Sequence, residues 1–186
     1  MLDGENENKP NIVIDNGSGY IKAGYAGYEG PSFVVPSFVG YPKYSHVMIG
    51  SDQKEYYVGE DAEANRGVLK LDYPIEHGEI KDRDKMENIF NHIFTNELRV
   101  DPEEHNVLVT ECSKHKNENR ETIAEIMFEL FNVHGLFITN PGELNIYYAG
   151  KFTGISVDLG DGVNKFIPVF DGIFSSKCYY SKKFWR

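Results

Sequence analysis

The order of strand-like and helix-like segments along this 186-residue chain predicts an α/β fold, a mixed sheet with helices packed against it. Three observations predict it. A β-branched run, an aspartate and a two-glycine turn occur together twice, as Ile12-Val13-Ile14-Asp15-Asn16-Gly17-Ser18-Gly19 and as Ile155-Ser156-Val157-Asp158-Leu159-Gly160-Asp161-Gly162. Each copy reads as strand, turn and returning strand, and the repetition predicts two similar half-folds. Between the copies, short apolar runs alternate with stretches of helical period, an order that implies crossovers around a sheet. Before residue 40, β-rich runs are punctuated by Gly and Pro, the pattern of an antiparallel meander.

Taken in order, residues 1–10 are polar and acidic and are expected to be disordered. Strands are expected from Asn11 to Asp15, Tyr20 to Tyr25 and Ser32 to Val35. Residues 41–55 read as a small exposed excursion, because Val47-Met48-Ile49 is too short a run to bury much. A helix-prone stretch at 60–66 stops at Gly67. Asp84 and Glu87 have the spacing of a capping box, and Met86, Ile89, Phe90, Ile93 and Phe94 recur at three and four, giving one apolar helix face. Asn106 to Glu111 is a short apolar strand suited to the centre of a sheet. A second amphipathic helix runs from about Glu118 to Phe131, with Ile123, Ile126, Met127, Leu130 and Phe131 on its stripe. After a strand from Leu136 to Thr139, Asn140 caps a helix, Pro141 takes its first position and Glu143 closes a capping box. That helix reaches about Tyr148 and stops at Gly150, and the second hairpin runs to about Phe170. The residues from Lys177 to Arg186 are basic and aromatic, fit neither period, and are expected to form a disordered tail.

Composition excludes several functional classes. The formal net charge is −10, from 29 acidic and 19 basic residues, and no basic stripe suited to nucleic acid appears. The two cysteines, Cys112 and Cys178, have neither metal nor redox spacing, which fits a reducing compartment. The six histidines never fall at ligand spacing. The N-terminal residues lack the features of a signal or transit peptide, and no apolar run approaches the ~20 residues that span a bilayer. A cytoplasmic location is therefore expected.

The repeated turns are where chemistry is expected. A turn of this kind gathers backbone N–H groups into one concavity that suits phosphate oxygens. A single copy reads better as a tight hairpin whose Asp hydrogen-bonds its own turn. Two copies facing each other, each with a carboxylate at its mouth, would clamp a nucleotide's phosphate tail and its metal ion. Lys22, a few residues past the first turn, is placed to reach back toward a phosphate; its plain alternative is a solvent-facing strand lysine.

These residues resemble the actin family. The phrases that carry the resemblance are Asp15-Asn16-Gly17-Ser18-Gly19, Lys22-Ala23-Gly24-Tyr25-Ala26-Gly27, Tyr73-Pro74-Ile75-Glu76-His77-Gly78, Asn96-Glu97-Leu98-Arg99-Val100, Pro102-Glu103-Glu104-His105, Ile126-Met127-Phe128-Glu129 and Asp158-Leu159-Gly160-Asp161-Gly162-Val163. The hairpin repeat alone is also similar to that of sugar kinases and the large heat-shock ATPases. The Pro-Ile-Glu-His-Gly and Glu-Leu-Arg-Val stretches select actin among them. The match runs from about Asn11 to about Gly172. It implies an actin-like ATPase fold with a ribonuclease H-like mixed sheet. The expected organisation is a first half at 11–150 with a small lobe at about 37–73, the start of a second half at 151–176 with the rest mostly missing, and a divergent tail at 177–186.

The resemblance also implies roles. Asp15 and Asp158 are expected to hold Mg²⁺ or Ca²⁺ largely through its waters, as suits a hard cation. Gly17, Ser18, Gly19, Gly160, Asp161, Gly162 and Val163 would line the phosphates of ATP or ADP, with Lys22 touching them. The excursion at 43–54 corresponds to the loop that one actin subunit inserts into its neighbour in a filament. His77 stands where the family has an often-methylated histidine. Tyr147, Tyr148, Gly150 and Phe152 correspond to part of the groove that actin-binding proteins enter, so actin and actin-binding proteins are the partners implied, in a cytoskeletal setting.

Two departures bear on activity. Pro141 stands where the family has the glutamine that orients the attacking water, and Lys165 where it has a nearby histidine. Proline has no side-chain donor or acceptor, and positioning is most of what a phosphoryl-transfer site supplies. A lysine binds phosphate but is a poor replacement in holding a water. The expectation is a weak ATPase at most, with no catalytic residue assigned. Family members are also considerably longer, which makes filament formation by this chain doubtful and leaves an alternative: a non-catalytic interaction module, or the product of a truncated actin copy, that needs a partner to fold.

Overall fold

The structure is a computed structural model that describes residues 9–43, 54–111, 116–174 and 180–182. In chain order the elements are β1 (Ile12–Asn16), β2 (Tyr20–Tyr25), β3 (Phe33–Pro36), β4 (Val39–Pro42), α1 (Gly59–Ala64), β5 (Leu69–Asp72), β6 (Ile75–Glu76), β7 (Glu79–Ile80) and α2 (Arg83–His92). There follow β8 (Asn106–Thr110), α3 (Lys116–Glu125), β9 (Gly135–Thr139), α4 (Pro141–Tyr148), β10 (Gly154–Leu159), β11 (Asn164–Phe170), β12 (Ile173–Phe174) and β13 (Tyr180–Lys182).

The main sheet has the order β3-β2-β1-β8-β9. The meander β1-β2-β3 is antiparallel, whereas β8 lies parallel to β1 and β9 parallel to β8. This is the mixed sheet that the sequence predicts. Parallel neighbours need long crossovers, and α3 supplies the one between β8 and β9. One face of the sheet presents Ile12, Ile14, Ile21, Ala23, Val107 and Val109 to Met86, Ile89, Phe90, Ile93 and Phe94 of the α2 segment and to Ile123, Ile126 and Met127 of the α3 segment. The period-2 and period-3.6 stripes read from sequence meet here as one core, except for Leu130, which the sequence places on the stripe and which is exposed because the helix turns π-helical there. Both helices end in a π-helical turn, Ile93–Leu98 and Ile126–Leu130, so the apolar stripes persist beyond the α-helical bounds. The rings of Phe94 and Phe131, one from each end, meet at 5.0 Å in a tilted pair.

Two smaller clusters lie outside this core. Phe38, Tyr57, Ala62 and Leu69 gather around the β4–β5 ribbon and α1. Ile146 of α4 packs with Ile167 and Val169 of β11. β10 and β11 form the second hairpin, and β12 and β13 both pair with β11.

Several expectations are corrected. The cap of α2 is Asp82, which accepts from the Lys85 N–H at 3.1 Å; Asp84 lies inside the helix, and Glu87 pairs with Arg83 at 2.8 Å. Asp82 wins because its backbone is extended where the helix begins. Glu143 accepts from the Thr139 hydroxyl at 2.7 Å, so the box at α4 is replaced by a bond one residue upstream. Residues 180–182, expected in a disordered tail, form β13, because β11 offers them a free edge. Residues 9 and 10, expected to be disordered, are tied down: Lys9 pairs with Glu104, and the Pro10 carbonyl accepts from His105 Nδ1 at 2.8 Å. Most of the excursion, Cys112 and Cys178 lie outside the described residues.

Asp82 also accepts from Lys85 Nζ at 2.6 Å, and this bond holds its carboxyl below the ordinary carboxylate range. A depressed folded-state pKa gives stability that is present above the unfolded value and lost as pH falls through the folded one. Asp82→Ala is therefore expected to cost about 1 kcal/mol at neutral pH. Denaturant titrations at stepped pH should show the gap from wild type narrowing below about pH 4.

Candidate functional site

The β1–β2 turn and the β10–β11 turn face each other across a cavity of about 210 Å³. It is lined by Asp15, Gly17, Ser18, Gly19 and Lys22 from the first hairpin and by Asp158, Gly160, Asp161, Gly162 and Val163 from the second. Every site residue expected from sequence thus borders one space. Asn16, Tyr20, Gly78, Pro141 and Lys165 complete the lining. The volume is below the roughly 300–1,000 Å³ of pockets that enclose drug-sized ligands, and it suits a phosphate chain and a cation better than a whole nucleotide.

Strand register explains the placement. Asp15 lies opposite Lys22 in the antiparallel pair β1–β2, and Asp158 lies opposite Lys165 in β10–β11. Opposite residues share a face, so each hairpin carries a carboxylate and an ammonium side by side. Lys22 Nζ sits 3.4 Å from Asp15 Oδ2, a loose and half-exposed pair. The other oxygen, Asp15 Oδ1, accepts from the Thr110 hydroxyl at 2.7 Å, and Thr110 Oγ1 in turn accepts from the Asn16 N–H at 3.0 Å. Thr110 is the last residue of β8, one step beyond the Ile14–Val109 pair. It fixes the carboxylate's orientation.

The turns touch. A Cβ on Gly162 would lie 2.5 Å from Ser18 Oγ, and one on Gly19 would lie 3.0 Å from Asp161 Cβ. The small hairpin β6–β7 sits over this contact. Its two central residues, His77 and Gly78, both have positive φ, 56° and 78°, as a type I′ turn requires. The Gly78 N–H donates to Ser18 Oγ at 3.1 Å, and His77 Nδ1–H donates to the Gly162 carbonyl at 3.1 Å. His77 therefore ties one turn to the other, a role its place in the sequence does not reveal.

The arrangement suits an anion and a hard cation. Among the described residues, no protein acceptor takes the N–H groups of Ser18, Gly19, Asp161, Gly162 or Val163. Asn16 is buried, and its Oδ1 has no hydrogen-bond partner. The donor set at the mouth is all oxygen, from Asp15 and Asp158, the chemistry of Mg²⁺ or Ca²⁺ rather than of a soft metal. Among the described residues no three His, Cys, Asp or Glu side chains converge into a cage. A cation here would keep most of its waters.

Sequence reasoning named His77 only by its place in the family, and missed Asn16, Thr110 and Gly78 as parts of the site. Asn16 was legible, since it sits inside the repeated phrase. Thr110 needed the order of the strands, and His77 needed the position of a hairpin some 60 residues away from Ser18.

A protein-family model for actin matches residues 6–184 of the chain.

Gly162→Ala is expected to push the two turns apart and cost about 1–3 kcal/mol, as overpacking does. Adding Ser18→Gly removes the clashing atoms, so the double variant should cost less than the sum of its parts in thermal unfolding. Adding Ser18→Ala leaves a Cβ that would stand 2.7 Å from the new methyl, and it should give no such relief.

Proposed function

Because the chain belongs to the actin family, we propose that it is a cytoplasmic, cytoskeletal nucleotide-binding protein that grips the phosphates of ATP or ADP and a divalent cation between its two turns, with hydrolysis impaired. The observation that carries this reading is the cavity itself: two turns with unclaimed N–H groups, in contact, and with a carboxylate at each mouth.

Asp15 and Asp158 would hold the cation through its waters. The cation would supply neutralisation of phosphate charge. The N–H groups of the two turns would receive phosphate oxygens, and Lys22 would approach from the open side. Thr110 would keep one oxygen of Asp15 occupied, leaving the other for the ion's shell or for Lys22.

Impaired hydrolysis rests on Pro141. It occupies the first position of α4 on the cavity wall, where its ring offers no hydrogen bond to a water. Lys165 on the same wall donates but does not accept, so it cannot take a proton from an attacking water while charged. Partners on this reading are actin or actin-binding proteins, meeting the exposed rings of Tyr147, Tyr148 and Phe152.

A second reading is favoured by one specific observation. The outer face of β10 and β11 leaves Ile155, Val157, Leu159 and Phe170 exposed along alternate positions. Contiguous apolar faces of this kind mark interaction surfaces. On that reading the chain is an interaction module, and light scattering would find it self-associated or bound to a partner.

Thermal unfolding with and without ATP and Mg²⁺ tests the main reading. ATP at about 100 times its Kd should stabilise the protein by about 2.7 kcal/mol, and Asp15→Asn with Asp158→Asn should abolish the contribution of Mg²⁺. In single-turnover hydrolysis Pro141→Gln should be faster than wild type. Equal rates in the two would remove the argument from Pro141.

A further inference from the structure

Lys165 is 3 % exposed. Its side chain borders the cavity, yet among the described residues no hydrogen bond or ion pair reaches its ammonium. Asp158 is its cross-strand neighbour and forms no salt bridge with it. The buried face of β11 runs Lys165, Ile167, Val169, and the last two pack against Ile146 of α4. A lysine interrupts this apolar stripe where the strand reaches the cavity. The stem of Lys165 is buried while its ammonium opens on the cavity without an ion pair, where it is placed to meet an anion.

The rest of the back wall cannot supply that positive charge. Pro141 has no N–H, and Asn140 already accepts from the next two donors of α4: Gly142 N–H at 2.9 Å on its side chain and Glu143 N–H at 3.1 Å on its carbonyl. Lys22 is half-exposed and partly engaged by Asp15. The lining carries three carboxylates, Asp15, Asp158 and Asp161, against the two lysines. Lys165 is thus the cation of this wall, among the described residues, whose side chain is largely buried and forms no ion pair.

We propose that Lys165 is a specificity residue of the cleft, whose ammonium, facing the cavity without an ion pair, meets phosphate, so that affinity rises steeply with the number of phosphates on the guest. The proposal rests on the nucleotide-binding reading. It adds that the substitution which removes a water-holding group also installs a charge that discriminates triphosphate from diphosphate and monophosphate. A charge-assisted hydrogen bond to phosphate is stronger than a neutral one, and loss of one weakens binding by about tenfold to a hundredfold.

The test compares wild type, Lys165→Met, Lys165→Gln and Lys22→Met, each as the full chain. The probes are ATP, ADP, AMP and inorganic tripolyphosphate with Mg²⁺, read by calorimetry and thermal shift. Lys165→Met keeps the stem's volume, so the ligand-free protein should stay folded and its melting curve serves as the reference for each probe. Both Lys165 variants should bind ATP and tripolyphosphate at least tenfold more weakly, with AMP little changed, so that the phosphate series flattens. Lys165→Gln, which keeps a polar tip, guards against a packing artefact of methionine. If the Lys165 variants keep the full ATP-over-AMP preference while Lys22→Met loses affinity, the proposal is overturned and the nucleotide reading stands. If wild type responds to none of the four probes, the nucleotide reading itself fails, and the proposal with it.

Discussion

The contact between the two glycine turns is the constraint on which the rest of the site depends. A methyl group on Gly162 would overlap Ser18, and one on Gly19 would press on Asp161. With both positions bare, the turns close to van der Waals distance. The β6–β7 hairpin then locks the contact from above, with Gly78 on Ser18 and His77 on the Gly162 carbonyl. The lock needs a left-handed backbone at His77, which a non-glycine residue adopts only at some cost. That cost is offset only if the hairpin's position over the turns is enforced by its surroundings. Ile75 is buried in the main core, and the Ile80 N–H donates to Asn119 of α3 at 2.9 Å. The geometry of the cleft is therefore set by the packing of the whole first sheet and its helices.

β1 links that packing to the chemistry. It is the middle strand, antiparallel to β2 on one side and parallel to β8 on the other. Ile12 and Ile14 point into the core, and the same alternation sends Asp15 to the opposite face, at the end where the parallel strands finish. Ligands of open α/β sheets gather at such carboxyl ends. Thr110 reaches Asp15 because parallel pairing brings the end of β8 to the same level. Sheet register thus does twofold duty, burying isoleucines and aiming the carboxylate.

Much of this was legible in the sequence, and the reasons differ by residue. The repeat phrase combined three strong local signals: β-branched strands, Asp and spaced glycines. The two amphipathic helices were legible because Met86 to Phe94 and Ile123 to Phe131 keep the helical period over several turns. The caps were less so: Asp82 and Asp84 are equally good capping residues, and only the path of the preceding strand decides between them. Glu143 takes the Thr139 hydroxyl instead of a backbone N–H, a choice the sequence does not encode locally. The strand at Tyr180–Lys182 could not be read from three residues without period; it exists because β11 presents an unpaired edge. His77, Thr110 and Gly78 come from segments distant in sequence, and their place in the site is a product of tertiary assembly.

Pro141 and Lys165 both line the cavity, and on the resemblance drawn from the sequence they depart from the family in complementary ways. A water-positioning site needs a neutral side chain with both a donor and an acceptor, held near the phosphate. Proline supplies neither and removes the N–H of the first helical position. Lysine supplies only donors and a full charge. On the proposed function, together they would replace a wall that could order a water by one that attracts an anion. The charge balance follows: with three carboxylates in the lining, a bound triphosphate meets strong repulsion unless cations offset it. A buried lysine offsets part of it permanently, without the entropy of recruiting an ion. On the proposed function, the cleft has exchanged turnover for retention of a phosphate-bearing guest, and the exchange needed only two positions because the turns, the carboxylates and the locking hairpin were kept.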